Sequence, residues 1–246
     1  MEPLYQDDKV RIDYLTKSQI FSYDYCPMQF YNNYIRKIRQ PENLAMQIGT
    51  RIHKFTEQFM EVCETLPIDQ WKQTIPDEFI PLERELAASI ISFETARYNK
   101  YAIDETPELF APFATELWVS SDNLRIRGNI DRIDWVDPTN KKVSIVEIKT
   151  GKPKESKVIQ ELAFYKMLFE DQHPEYEVVE YGIYAPNTEE FNFFTPKERE
   201  KKLVIKKWDA LKQALAKNKF SAPYNEYKCD RCAYCEVCHG KREAIQ

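Results

Sequence analysis

Apolar residues recur at helical spacing along three stretches in the first hundred residues. In "KSQIFSYDYCPMQFYNNYIRKI", Ile20, Tyr23, Phe30, Tyr34 and Ile38 fall roughly on one side, with Ser18 placed to cap the helix and Pro27 placed to kink or split it. In "NLAMQIGTRIHKFTEQFMEVCETL" the stripe is Met46, Ile48, Ile52, Phe55, Phe59 and Val62, and in "PLERELAASIISFETARYNKY" it is Leu82, Leu86, Ile90 and Phe93. The period then changes from 3.6 to 2. "FATELWVSS", "LRIRGNIDRIDWV" and "KVSIVEIKT" alternate, are rich in β-branched residues and are separated by the turn signals "SSDN" and "DPTNKK". "KESKVIQELAFYKMLFE" is helical again, "YEVVEYGIYAP" and "EEFNFFT" are strands, and a last helix opens at Thr195 and Pro196. This order predicts an α/β fold: a mixed sheet flanked by helices, preceded by a helical cap and followed by a cysteine-bearing tail.

One strand breaks its own pattern. In "SIVEIKTGK", Val146 and Ile148 point to one face, and Glu147 and Lys149 to the other. The turn at "DPTNKK" folds this strand back on "GNIDRID", which brings Asp131 beside Glu147. Adjacent carboxylates repel unless a cation lies between them. Asp131, Glu147 and the carbonyl of Ile148 offer hard oxygen donors, the set that suits Mg²⁺ or Mn²⁺. Lys149 stands where an ammonium would orient water or offset charge on a phosphoryl oxygen. A bare E-x-K is also what a surface ion pair on a half-exposed strand looks like; the G-x-x-D before it and the T-G-K after it favour the site. Glu116, on the preceding strand, is at best an outer contact of the same cleft.

Composition and charge sharpen this picture. The 246 residues are 43% hydrophobic, enough for a sizeable core, and no apolar run reaches the length of a membrane span. The polar N-terminus does not look like a signal peptide, so a soluble, cytoplasmic protein with no membrane partner is expected. The net charge is −5, yet Lys141–Lys157 holds six Lys against two Glu, and Lys197–Lys219 nine Lys or Arg against three acids. Such local basic faces can track a phosphate backbone, or can simply be solvated. Four of the six cysteines, Cys229, Cys232, Cys235 and Cys238, crowd the C-terminus at three-residue steps. In a reducing compartment that spacing indicates metal or cluster ligation rather than disulfides. Cys63 follows the apolar stripe of its helix and suits a small buried hydrophobe.

"GNIDRID…VSIVEIKTGK" resembles the RecB-like branch of the PD-(D/E)XK nucleases. "GTRIHKFTE" resembles that branch's helix with a metal-binding histidine, here His53. "SQIFSYDYCPMQFYNNYI" resembles its N-terminal Cys-Pro helix, with Cys26, and "CDRCAYCEVC" resembles its C-terminal motif, whose C-x2-C-x5-C spacing selects Cys229, Cys232 and Cys238. The resemblance covers residues 16–238. It implies a restriction-endonuclease-like fold in a single domain: a helical part over about 16–105, a nuclease core over 106–220, and a tail over 221–246 packed against the N-terminal helix. It implies a metal-dependent DNA nuclease whose metal is held by His53, Asp131, Glu147 and Ile148, with Lys149 catalytic, and a 4Fe–4S cluster on Cys26, Cys229, Cys232 and Cys238. A local site on Cys229, Cys232, Cys235 and Cys238, holding zinc or a cluster, is the alternative ligand set. The chain is similar to the CRISPR-associated exonucleases that help prepare new spacers, and equally to stand-alone exonucleases of the branch. DNA, single-stranded by preference, is the expected partner, with Tyr23, Tyr25, Tyr31 and Trp208 available for stacking; a helicase or integrase is a further one. The family pattern places Gln four residues before Tyr on the next helix. Here Glu161 stands four before Tyr165, and Gln160 five before it. A non-catalytic iron–sulfur adaptor and a cluster-based electron carrier are the rival readings; the first leaves the His, Asp, Glu and Lys set unused, and so does the second.

Overall fold

The structure, a computed structural model, describes residues 2–38, 40, 42–63 and 65–239. In chain order the elements are β1 (Tyr5–Gln6), β2 (Arg11–Ile12), α1 (Lys17–Tyr25), α2 (Pro27–Phe30), a π-helical turn (Tyr31–Ile35), α3 (Leu44–Cys63) and α4 (Pro81–Ile103). They continue with β3 (Ala114–Ser121), β4 (Ile126–Asp137), β5 (Lys142–Ile148), α5 (Glu155–Gln172), β6 (Glu177–Ala185), β7 (Glu190–Phe194), α6 (Glu198–Lys217), α7 (Glu226–Cys229) and α8 (Cys235–His239). Two compact units result. One is formed by Met1–Pro41, Asp122–Arg127 and Lys202–Gln246, the other by Glu42–Ser121 and Gly128–Lys201.

The second unit holds most of a five-stranded sheet in the order β3-β4-β5-β6-β7. β4 and β5 are antiparallel, β5 and β6 parallel, and β6 and β7 antiparallel, so the expected mixed sheet is present. The parallel pair needs a long crossover, and α5 provides it. Ile48, Ile52, Phe55 and Phe59 of α3 and Leu86, Ile90 and Ile91 of α4 share a core with Val146, Ile148 and Tyr184. Of the two stripes, Met46 and Leu82 are exposed; each lies in the first turn of its helix, ahead of the packed surface. β5 is not half-exposed. Six of its seven residues are buried, because β4 and β6 flank it and helices pack on the sheet.

Gly182 on β6 shows how tight that centre is. A Cβ there would lie 2.9 Å from Val146 Cγ2 and 3.2 Å from Phe191 Cε2. Both neighbours are stiff, so Gly182→Ala is expected to lower unfolding free energy by about 1–3 kcal/mol in a urea titration.

The first unit buries Leu15, Ile20, Phe30, Ile126 and Leu211. Thr16, not Ser18, caps α1: its Oγ1 accepts from Gln19 N at 3.3 Å, and Gln19 Oε1 accepts from Thr16 N at 2.9 Å, a capping box. Pro27 splits the helix rather than bending it. Cys26 is extended, at φ −158° and ψ 116°, as the residue before a proline tends to be, and Pro27 opens α2 at its first position. Among the described residues, no helix is long and apolar enough to cross a membrane.

Candidate active site and cysteine cluster

The site of the second unit lies where β5 ends and the chain turns towards α5, the carboxyl end of a parallel strand, where α/β sheets commonly bind ligands. β5 delivers Glu147 and Ile148, and Lys149 follows at once, its N–H donating to Tyr184 O at 2.8 Å. The pairing of Arg132 with Val146 fixes the alternation, so Asp131 and Glu147 belong to one face and Arg132 and Val146 to the other. Asp131 Oδ2 accepts from Ile148 N at 3.3 Å. His53 comes from α3, with Nδ1 3.6 Å from Asp131 Oδ2 and 4.0 Å from Glu116 Oε1. Among the described residues, His53, Glu116 and Asp131 are the group whose donor atoms converge within 4.8 Å.

Glu116 therefore stands inside the cluster, closer in than its reading as an outer contact. Its backbone is in the left-handed region, φ 47°, an unusual state for a strand residue and one found at functional sites. Asn129 Nδ2 donates to its Oε2. Burial pushes the Glu116 carboxyl above its ordinary value; Glu57 and Glu147 add to this, while His53 and Asn129 oppose it. The sequence signal was there: a carboxylate in "TELWV" interrupts an alternating strand as Glu147 does.

Glu147 lies outside that convergent group. It is 3% exposed, and Lys149 Nζ donates to its Oε1 at 2.5 Å. The same ammonium donates to Glu161 Oε2 at 3.0 Å, and Lys157 Nζ lies 3.6 Å from Glu161 Oε1. Gln160 turns back on its own helix, donating from Nε2 to Ser156 O at 2.8 Å. Tyr165 is buried, its ring against Gly128 of β4, where a Cβ would come within 3.0 Å. Beside these groups opens a cleft of about 390 Å³, lined by His53, Ile148, Lys149 and Glu161 and edged by Lys152, Lys154 and Lys157. A larger cleft of about 670 Å³, between α4 and the β6–β7 turn, is lined by Lys72, Ser89 and Glu189; it lacks the acid–imidazole cluster, so chemistry rather than size selects the smaller one.

Behind Asp131, on the opposite face of β4, lies an ion network that the sequence pattern did not reveal. Arg132 is 3% exposed. Its NH1 is 2.5 Å from Glu94 Oε1 and its Nε 2.7 Å from Asp134 Oδ1, and Arg97 NH1 is 2.5 Å from Glu94 Oε2. Burial opposes the Arg132 charge, and Asp134 and Glu94 more than offset it, holding the guanidinium above its usual range. The network ties β4 to α4 immediately beside the residue that carries Asp131.

A model of the PD-(D/E)XK nuclease superfamily matches residues 14–239. This chain belongs to that superfamily. Its members are typically metal-dependent nucleases acting with Mg²⁺ or Mn²⁺, and their fold is the mixed five-stranded sheet flanked by helices described above. No curated protein matches the chain. The donors fit the cation this superfamily uses: two carboxylates and an imidazole gathered within 4.8 Å, with an elevated Glu116 carboxyl that a cation would relieve.

In the first unit, Cys26, Cys229, Cys232, Cys235, Cys238 and His239 line one narrow cavity. Cys26 reaches it from the break between α1 and α2. Asn32, fully buried in the π-helical turn, donates from Nδ2 to Cys238 Sγ at 3.5 Å, and Asn225 N donates to Cys229 Sγ at 3.4 Å. Of the aromatic residues considered for stacking, Tyr23 packs edge-on against Phe30 and Tyr31 stacks on Phe220. Lys212 covers Trp208, and Tyr25 is 42% exposed beneath the Lys228 ammonium.

The Glu116 environment gives a pH-dependent expectation for the metal-free protein. A carboxyl raised in the folded state favours folding below its unfolded pKa, and that contribution is lost as pH rises through the folded value. In chelator at pH 7, Glu116→Gln is therefore expected to melt about 2 °C above wild type. The gap should shrink towards pH 4, and Mn²⁺ should stabilise the variant less than wild type. Thermal melts at the two pH values, with and without Mn²⁺, check this.

Proposed function

We propose that this protein is a deoxyribonuclease that hydrolyses DNA phosphodiester bonds, with single strands preferred and digestion from an end the main mode. The observation that carries the reading is the meeting of His53, Glu116 and Asp131 at the end of β5, beside the Glu147–Lys149 pair. His53, Glu116, Asp131 and Glu147, with the Ile148 carbonyl, would hold Mg²⁺ or Mn²⁺. When bound, the cation supplies Lewis-acid stabilisation of phosphoryl charge and makes water a better nucleophile at neutral pH. Lys149 orients the attacking water and offsets negative charge on the phosphoryl oxygens. Water adds to phosphorus, the bond to the leaving sugar oxygen breaks, and that oxygen takes up a proton. Lys152, Lys154 and Lys157 guide the backbone to the cleft.

The same proposal includes a 4Fe–4S cluster on Cys26, Cys229, Cys232 and Cys238. Shared lining of one cavity and N–H groups aimed at two sulfurs support it. Its role is to join the two ends of the chain. The ordered motifs support membership of the RecB-like branch, the similarity to CRISPR-associated spacer-processing exonucleases, and work beside an integrase or helicase. The test has two arms. Anaerobically purified protein is analysed for iron, sulfide and absorption near ~400 nm. It is then incubated with end-labelled single and double strands in Mn²⁺ or chelator. Mn²⁺-dependent loss of the single strand with iron bound is expected; no cleavage under any divalent ion refutes the hydrolase, and zinc in place of iron refutes the cluster.

A further inference from the structure

We propose that Glu161 is a positioning residue which receives the Lys149 ammonium when a divalent cation engages Glu147, so that lysine and cation do not compete for one carboxylate. The inference rests on the hydrolase reading above. It starts from an imbalance in the site. Lys149 Nζ stands between two carboxylates, 2.5 Å from Glu147 Oε1 and 3.0 Å from Glu161 Oε2. The Glu147 side chain is 4% exposed and that of Glu161 8%, while the Lys149 side chain is 29% exposed. The more exposed, better hydrated partner is thus the ammonium.

A dication arriving at Glu147 repels the ammonium lying against the same oxygen. With one carboxylate in reach, Lys149 would either hold its place and weaken the cation, or swing into solvent and lose its catalytic position. With Glu161 already in hydrogen-bonding range, it needs only to tighten a contact that exists. Glu161 is held in turn. It projects from α5 one turn after Lys157, whose Nζ is 3.6 Å from its other oxygen, and its low exposure keeps it aimed inward. Gln160, the neighbouring polar residue, is bonded to Ser156 instead and takes no part in this exchange.

The test is Mn²⁺ binding to the full-length protein without DNA, by calorimetry, for wild type, Glu161→Gln, Lys149→Met and the double variant. If Glu161 acts by holding Lys149, Glu161→Gln weakens Mn²⁺ about tenfold when Lys149 is present and only about twofold in the Lys149→Met background, a coupling of the size seen for contacting residues. Lys149→Met alone tightens Mn²⁺. Equal factors in both backgrounds mean that Glu161 contributes only its charge, and overturn the proposal. Glu161→Asp gives a second reading should Glu161→Gln fold poorly: it keeps the charge but withdraws it by one methylene. Weaker Mn²⁺ binding supports positioning, and unchanged binding refutes it. Wild-type protein that binds no Mn²⁺ defeats the hydrolase reading instead, so the two failures are told apart.

Discussion

Lys149→Met is expected to bind DNA and leave it uncut. The substitution keeps most of the aliphatic volume and removes the ammonium, whose proposed role arises where negative charge builds on phosphorus. Groups of this kind usually contribute about 10²–10³-fold in rate, so cleavage of an end-labelled single strand in Mn²⁺ should fall by that amount. Binding, followed by anisotropy in Ca²⁺, should change little, because Lys152, Lys154 and Lys157 still line the cleft edge. The variant has a second signature. Glu147 and Glu161 lose the cation between them, and two nearby carboxylates without a shared cation repel. Metal-free Lys149→Met should therefore melt below wild type at pH 7. Lys149→Arg keeps the charge but is planar and bulky, and should remain well below wild-type activity. Full cleavage by Lys149→Met would remove the catalytic assignment.

Cys26→Ser is expected to abolish iron binding and to loosen the first unit, while Cys235→Ser retains both. Both residues line the cavity, so lining alone does not separate the two ligand sets. Their origins differ. Cys26 comes from the break at Pro27, about 200 residues from the tail cysteines, and a link closing so long a loop constrains the unfolded chain strongly. Cofactor binding free energy of this kind is folding free energy, so the Cys26 variant should melt several degrees lower, on the order of 5 °C. Iron analysis, absorbance near ~400 nm and melting report the two effects separately. Iron retained by Cys26→Ser and lost by Cys235→Ser would instead assign the local tail set.

Much of this is legible in the amino-acid sequence. The switch from period 3.6 to period 2 marks the helix–sheet boundary, and "DPTNKK" marks the β4–β5 turn, since both are local properties of the chain. What escaped depends on neighbours. Period alone shows that Glu147 and Lys149 share a face, but not that β6 and α5 would bury that face as well, leaving the pair between Glu161 and the acid cluster. Glu116 reads as peripheral because its approach to His53 depends on how α3 meets the sheet, and its left-handed backbone is announced by no propensity. Arg132 reads as one more surface charge in "IDRID"; only α4, bringing Glu94 and Arg97, makes it an interior cation. Thr16 displaced Ser18 as the cap because Gln19 returns the bond to its backbone.

The first unit is assembled from Met1–Pro41, Asp122–Arg127 and Lys202–Gln246. During translation its opening helices leave the ribosome long before the tail that completes their core. The intervening nuclease sheet has all its strands by residue 194 and can condense first. Cys26 precedes Cys229 by about 200 residues, so a cluster on the proposed ligand set could close only after the tail cysteines had been made.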